Sequence, residues 1–201
     1  MAMAAFSDLV GAISRNLREP NLVANAADFV SMAEARILRR LRVSAMETIA
    51  TGTVSTASLS TPADYLESIR IILSVGGVDR ELKYIGPDST AKYSLSTGQP
   101  FAYTTVGSSL ILYPTPDASY SYTLWYYARP TALSASNTSN WLMTAAPDLY
   151  LYGALIEASG GLQSDPKVQF WKERYNEALA EMEHSDERQA FGGSILRVQT
   201  R

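Results

Sequence analysis

The chain has 201 residues, a formal charge of −3, and 46% hydrophobic against 18% charged residues. That is long enough to bury a core and ordinary for a folded protein, while a mildly acidic balance exerts no overall pull on nucleic acid or anionic membranes. The absence of cysteine and the presence of one histidine exclude disulfide staples, thiolate nucleophiles, histidine triads and multi-histidine metal sites.

No basic residue precedes Arg15, so the amino end lacks a secretory n-region. No apolar run approaches the roughly 18 residues needed to span a bilayer. A soluble chain made in a cytosol, with no membrane partner, is the expectation. Seven of the twelve tyrosines fall between Tyr93 and Tyr127, and from Leu95 to Ala146 the only charges are Asp117 and Arg129. Both ends are richer in charge, which predicts an α+β chain with a β-rich middle and helical ends.

Phe6, Leu9, Val10, Ile13 and Leu17 recur at helical spacing, with Ser7 as the expected cap and Pro20 beyond the end. A second helix follows, with Phe29, Val30, Ala33, Ile37 and Leu41 on one face. Arg36, Arg39, Arg40 and Arg42 crowd its last turns, where positive charge suits the helix dipole.

The pattern then turns to β. "METIATGTVS" is rich in β-branched residues. Ser68 to Val75 and Val78 to Ile85 meet at Gly76-Gly77, a pair that tolerates the positive φ of a two-residue hairpin turn. "PDSTAKYSL" suits a short helix. "FAYTTV", "SLILYP" and "SYSYTLWYYARP" read as strands, and in the last Tyr120, Tyr122, Leu124 and Tyr126 alternate with Ser121, Thr123, Trp125 and Tyr127. At least five strands with short turns predict a small antiparallel sandwich or barrel.

Helices return after "LSASNTSN". Thr144 is the expected cap of the first, with Pro147 in its opening turn. At 100° per residue, the apolar side chains from Leu149 to Ala158 surround that helix, and Tyr150 and Glu157 form a narrow polar stripe. A helix apolar all round is a buried helix. A charge on it needs a partner, and an arginine of the 36–42 cluster, Arg36 or Arg40, is expected to form a structural ion pair with Glu157. Gly160-Gly161 ends the helix. Asp165 and Pro166 open the last one, whose stripe is Val168, Trp171, Tyr175, Ala178, Leu179 and Met182. Phe170 lies off that stripe, on the polar side. Gly192-Gly193 then separates the tail. Fixing residues 191–201 costs roughly 1–2 kcal/mol of backbone entropy each. Burying Phe191, Ile195, Leu196 and Val198 returns about 1.5–3 kcal/mol each. The tail therefore needs a partner surface that supplies backbone hydrogen bonds as well.

No constellation of catalytic residues emerges. His184 reads as a solvated residue near a helix end, and pairs such as Asp148/Glu157 or Glu181/Glu183 as charged helix faces. The paired glycines do not make a phosphate loop. The arginine cluster lacks the interleaved aromatics of a nucleic-acid surface. Tyrosine- and tryptophan-rich strands serve either as sheet core or as stacking platforms. The reading is therefore a non-enzyme with no cofactor and no metal.

"FVSMAEARILRRLRV", "STPADYLESIRIIL", "TGQPFAYTTVGSSLILYPTPDASYSYTLWYYARPTALS", "NWLMTAAPDLYLYGALIEAS" and "WKERYNEALAEMEHSDERQAFGGSILRV" resemble, in that order, the head-to-tail adaptor proteins of tailed bacteriophages. They are most similar to the tail tubular adaptors of short-tailed phages. The resemblance runs from Phe29 to Val198. It implies a helical bundle built from both chain ends (residues 1–44 and 137–190), an inserted β domain (45–136) and an extended carboxyl-terminal arm (191–201). It implies a homo-oligomeric ring, typically a dodecamer, in the virion neck beneath the portal protein. Such a ring, assembled in the host cytoplasm, extends the DNA channel and offers a docking platform to a tail tube or nozzle protein. Duplex DNA passes through it without specific binding.

On this reading Phe191, Ile195, Leu196, Arg197 and Val198 meet the portal or a neighbouring subunit, while Phe170, Leu151 and Leu155 pack between subunits. The competing expectation is a glycan-binding host-attachment module, which would expose Trp125 or several tyrosines in one groove.

Overall fold

The computed structural model describes residues 3–17, 22, 24–92, 96–160 and 166–192, with the side chains of 91 and 189–192 outside that description. The fold is α+β and divides into two compact units. One is drawn from Met1–Ala45 and Pro130–Arg201, the other from Met46–Arg129. Residues 130–136, which the sequence assigns to the β domain, group with the helices. There the Leu133 N–H donates to the Glu34 carboxylate at 2.9 Å, and the Leu133 side chain is buried.

The helical unit contains α1 (Phe6–Leu17), α2 (Ala26–Leu38), α3 (Trp141–Ala145), α4 (Pro147–Ala158) and α5 (Pro166–Gly192). Helix α1 buries Leu9, Ala12 and Ile13. Ser7 lies inside it and is not its cap. The Asp8 carboxylate instead accepts from the Ala4 and Ala5 N–H groups at 3.3 and 3.1 Å, satisfying donors that a helix start leaves free. Helix α2 buries Ala26, Val30, Ala33 and Ile37, and Leu41 beyond its end is buried too. Phe29 is only half-buried.

Thr144 is likewise not the cap of its helix. Asn140 caps α3, its Oδ1 accepting from the Met143 N–H at 2.7 Å. Pro147 then opens α4 as a separate helix, because a proline at the first helical position loses no internal bond. Helix α4 packs on α1, α2 and α5. These neighbours bury Leu149, Tyr150, Gly153, Ala154, Leu155, Ile156 and Ala158 within the one chain. Gly160, at φ +54°, follows the end of α4, in the left-handed conformation common there. Val168, Tyr175, Ala178 and Leu179 of α5 are buried, and Trp171 and Met182 half-buried. The last helix runs through Gly192, so it ends within the glycine pair, two residues beyond the limit of 190 expected for the helical segment. Pro20, Gly161, Asp165 and the tail from Gly193 lie outside the described residues.

The β unit holds two sheets of four strands. The first contains β1 (Glu47–Val54), β3 (Tyr65–Val75), β4 (Val78–Glu81) and β8 (Tyr120–Ala128), in the order β1-β8-β3-β4. The second contains β2 (Ser58–Ser60), β5 (Lys83–Tyr84), β6 (Ala102–Val106) and β7 (Ser109–Tyr113), in the order β2-β7-β6-β5. No barrel closes. Gly76 and Gly77 form the β3–β4 turn at φ +58° and +80°, as a two-residue turn matched to strand twist requires. The run from Val78 to Ile85 is not one strand. It breaks at Leu82, whose side chain enters the core, and β5 pairs in parallel with β6 in the second sheet. The core lies between Ile71, Leu73, Leu124 and Tyr126 of the first sheet and Leu59, Tyr103, Leu110 and Leu112 of the second. The segment Pro87–Lys92 is a 3-10 helix.

Candidate functional site

The polar groups of the helical unit tie its segments together. Arg36 Nε and Nη2 both stand 2.6 Å from Glu157 Oε1, joining α2 to α4 at a partly exposed position. Arg42 Nη1 donates to the carbonyls of Leu38 and Leu41 at 2.9 and 2.7 Å, helping to satisfy acceptors left open at the end of α2. Ser44 donates from its N–H to Asp186 Oδ1 at 2.8 Å, and its hydroxyl reaches the same oxygen.

A deeper network centres on Glu34 and Tyr150. The Tyr150 hydroxyl donates to Glu34 Oε1 at 3.3 Å, and Asn140 Nδ2 donates to the Tyr150 oxygen at 2.9 Å and to the Thr131 carbonyl at 2.8 Å. Burial pushes the Glu34 carboxyl above the usual carboxylate range, and the bonds from Leu133 and Tyr150 only partly offset it. Burial also pushes the Tyr150 hydroxyl up. Neither Glu34 nor Asn140 stands out in the sequence. The available signal was an asparagine three residues before Met143, the spacing of a helix cap. Glu34 carries no local signal, because its partners are about a hundred residues away in the chain.

The expected contact residues scatter in burial. Leu155 is 1% exposed inside its own chain. It is core of the subunit and offers no surface to a neighbour, since α1, α2 and α5 already enclose α4. Leu151 is half-buried. Phe170 is 47% exposed. Its ring meets Tyr152 edge-on at 6.4 Å, and the Arg174 guanidinium lies over the ring, 5.3 Å from its centre. Arg174 also pairs with Glu177 at 2.8 Å. Tyr152, Phe170 and Arg174 line a shallow groove of about 370 Å³ with Asp148, Glu177 and Glu181. Phe191 has no described side chain, and Ile195, Leu196, Arg197 and Val198 lie outside the described residues. His184 is solvent-exposed, 3.6 Å from Glu187.

In the β unit, Ile49, Trp125 and Arg70 stand side by side across β1, β8 and β3. The Arg70 guanidinium lies 4.6 Å above the Trp125 ring, so a cation occupies a face that a sugar would need. Tyr103 and Tyr126 are buried, and among the unit's described tyrosines Tyr84 alone is exposed.

Among the described residues no group of three or more His, Asp or Glu side chains is placed to hold a metal ion, and no helix is long and apolar enough to cross a membrane. The charged groups described above mostly hold segments of the protein's own chain together. Phe170 is exposed on α5 beside the charged groups of Arg174, Glu177 and Glu181. Residues 4–199 match the family model for the SU10 adaptor protein, and the chain belongs to that family. It is thus a structural protein of the bacteriophage virion, of the head-to-tail adaptor class. A comparison with curated proteins finds none that matches.

Proposed function

We propose that the protein forms a ring, typically of twelve copies, in the virion neck beneath the portal. The ring extends the DNA channel and presents a platform to a tail tube or nozzle protein. The observation that carries this reading is the adaptor-family match over nearly the whole chain. The helices of both chain ends make the bundle of each subunit. Phe170, Tyr152 and Leu151 supply the subunit contact, since aromatic side chains beside arginine are the usual anchors of protein interfaces. The carboxyl-terminal arm, with Ile195, Leu196, Arg197 and Val198, reaches the portal or the next adaptor. A ring of mildly acidic copies has no overall attraction for duplex DNA, which suits a channel that DNA must traverse. Assembly takes place in the host cytoplasm.

Mass measurement of the purified protein, alone and mixed with its portal, tests this. A ring bound to the portal is the expected result. Infectious particles whose necks lack the polypeptide would overturn the reading. The glycan-binding alternative receives less support, because Arg70 covers Trp125, Tyr103 and Tyr126 lie in the core of the β unit, and Tyr65, Tyr120 and Tyr122 pack against it.

A further inference from the structure

Two surfaces of the helical unit carry opposite charges that the subunit itself does not pair. At the end of α2, Arg39 and Arg40 are exposed. Arg36, on the same helix, is paired with Glu157 and lines a hollow of about 350 Å³ with Lys172 of α5. None of Arg39, Arg40 and Lys172 forms an ion pair among the described residues, so this edge keeps three positive charges. The Tyr175 hydroxyl lies within their reach. It is buried with no hydrogen-bond partner among the described residues. Burial pushes that hydroxyl up, and the charges of Arg36, Arg40 and Arg39 act against it.

The groove around Phe170 has the opposite sign. Its carboxylates are those of Asp148, Glu177 and Glu181. Its one cation, Arg174, is taken up by Glu177. Neither Asp148 nor Glu181 has an ion-pair partner among the described residues. Arg188 lines an adjoining hollow with both but pairs with neither. The groove therefore offers an exposed aromatic ring together with unpaired negative charge.

The two surfaces lie on opposite sides of α5. At about 100° per residue, Lys172 stands about 60° to one side of the buried Tyr175. Phe170, Arg174, Glu177 and Glu181 stand about 100–160° to the other side. A closed ring of more than two copies needs this arrangement, because each subunit meets its two neighbours through two different, complementary surfaces. We infer that the basic edge of Arg39, Arg40 and Lys172 on one copy seats in the Phe170 groove of the next. This rests on the ring reading above and names the surface that the Phe170 cluster meets. Opposite charges steer the two surfaces together and fix their register, while groove against groove or edge against edge sets like charges face to face. Arginine side chains also suit an exposed aromatic ring, whose face attracts a cation.

Charge reversal tests this, with oligomer mass measured against concentration. One full-length variant carries Arg39→Glu/Arg40→Glu and the other Glu177→Lys/Glu181→Lys. Thermal unfolding checks that each is folded. Each alone should associate about tenfold or more weakly than the parent. Mixed in equal amounts, they should recover the parent's association in rings of alternating copies. Each reversed surface then meets its reversed counterpart, and each native surface its native one. Parent-like association of either variant alone, or a mixture no better than its components, overturns the contact and leaves the ring reading in place. A parent that stays monomeric, alone and with its portal, overturns the ring reading and this contact together. If a variant does not fold, carbodiimide coupling of the parent decides. Lys172 and the two glutamates lie on opposite sides of their own helix, so a Lys172 link to Glu177 or Glu181 joins two copies. That link in the oligomer supports the contact, and an oligomer without it overturns the contact.

Discussion

A methyl group placed on Gly153 would stand 3.0 Å from the Ala33 Cβ. The close approach of α2 and α4 at this point depends on the missing side chain, and the Tyr175 ring closes the space at 3.4 Å from the same position. Gly153→Val should destabilise the protein by about 2–3 kcal/mol, the cost of overpacking a filled core. Denaturant unfolding measures it. Stability equal to the parent would show that the helices separate freely here.

Arg36 and Glu157 are 38% and 21% exposed at the side chain. A pair this accessible to water is screened, and its net worth is about 0–1 kcal/mol. Glu157→Leu should therefore shift unfolding stability by less than about 1 kcal/mol and leave assembly intact. A loss of several kcal/mol would show that the pair is effectively buried in the assembled protein. A folded, fully assembled protein that fails in infection would instead indicate a further role for the carboxylate.

Glu34 makes stability depend on pH in a definite direction. Its folded pKa is raised, with burial as the main cause. The folded state therefore holds the Glu34 proton more tightly than the unfolded state. This contribution to stability is full below the ordinary glutamate value of about 4.3. It declines as pH rises from there through the raised folded value. Glu34→Gln keeps an oxygen for the Leu133 N–H and the Tyr150 hydroxyl and removes the titration. The variant should lose that part of the slope, measured by denaturant unfolding at a series of pH values across that interval. An unchanged slope would remove Glu34 as its source.

Phe170 is almost half exposed, so its replacement should leave the isolated subunit's stability within about 0.5 kcal/mol of the parent, as for most surface positions. Phe170→Asp should weaken oligomer formation at least tenfold if the Phe170 cluster is an interface anchor. Sedimentation or mass measurement against concentration reads the second effect, and thermal unfolding the first. A collapse of monomer stability would make Phe170 an intramolecular packing residue.

The periodic elements were legible in the sequence because their patterns are local. Alternation in Tyr120–Ala128 identifies a strand with Leu124 and Tyr126 on one face, and the structure buries both. The apolar circuit of Leu149–Ala158 identifies a buried helix, and the structure shows that its own chain supplies most of the cover. Capping was read less well. Ser7 and Thr144 are plausible caps by residue type, but the backbone turns at Ala5 and Asn140 instead, so Asp8 and Asn140 meet the free N–H groups.

The amino-acid sequence by itself determined the succession of helical and β segments and the Gly76-Gly77 turn. Each follows from periodicity or from the dihedral freedom of glycine. Only the tertiary structure decided that Arg36 meets Glu157, that Leu155 is enclosed while Phe170 is not, and that the chain crosses between sheets at Leu82. Those outcomes depend on contacts between residues far apart in the chain, which no local pattern encodes.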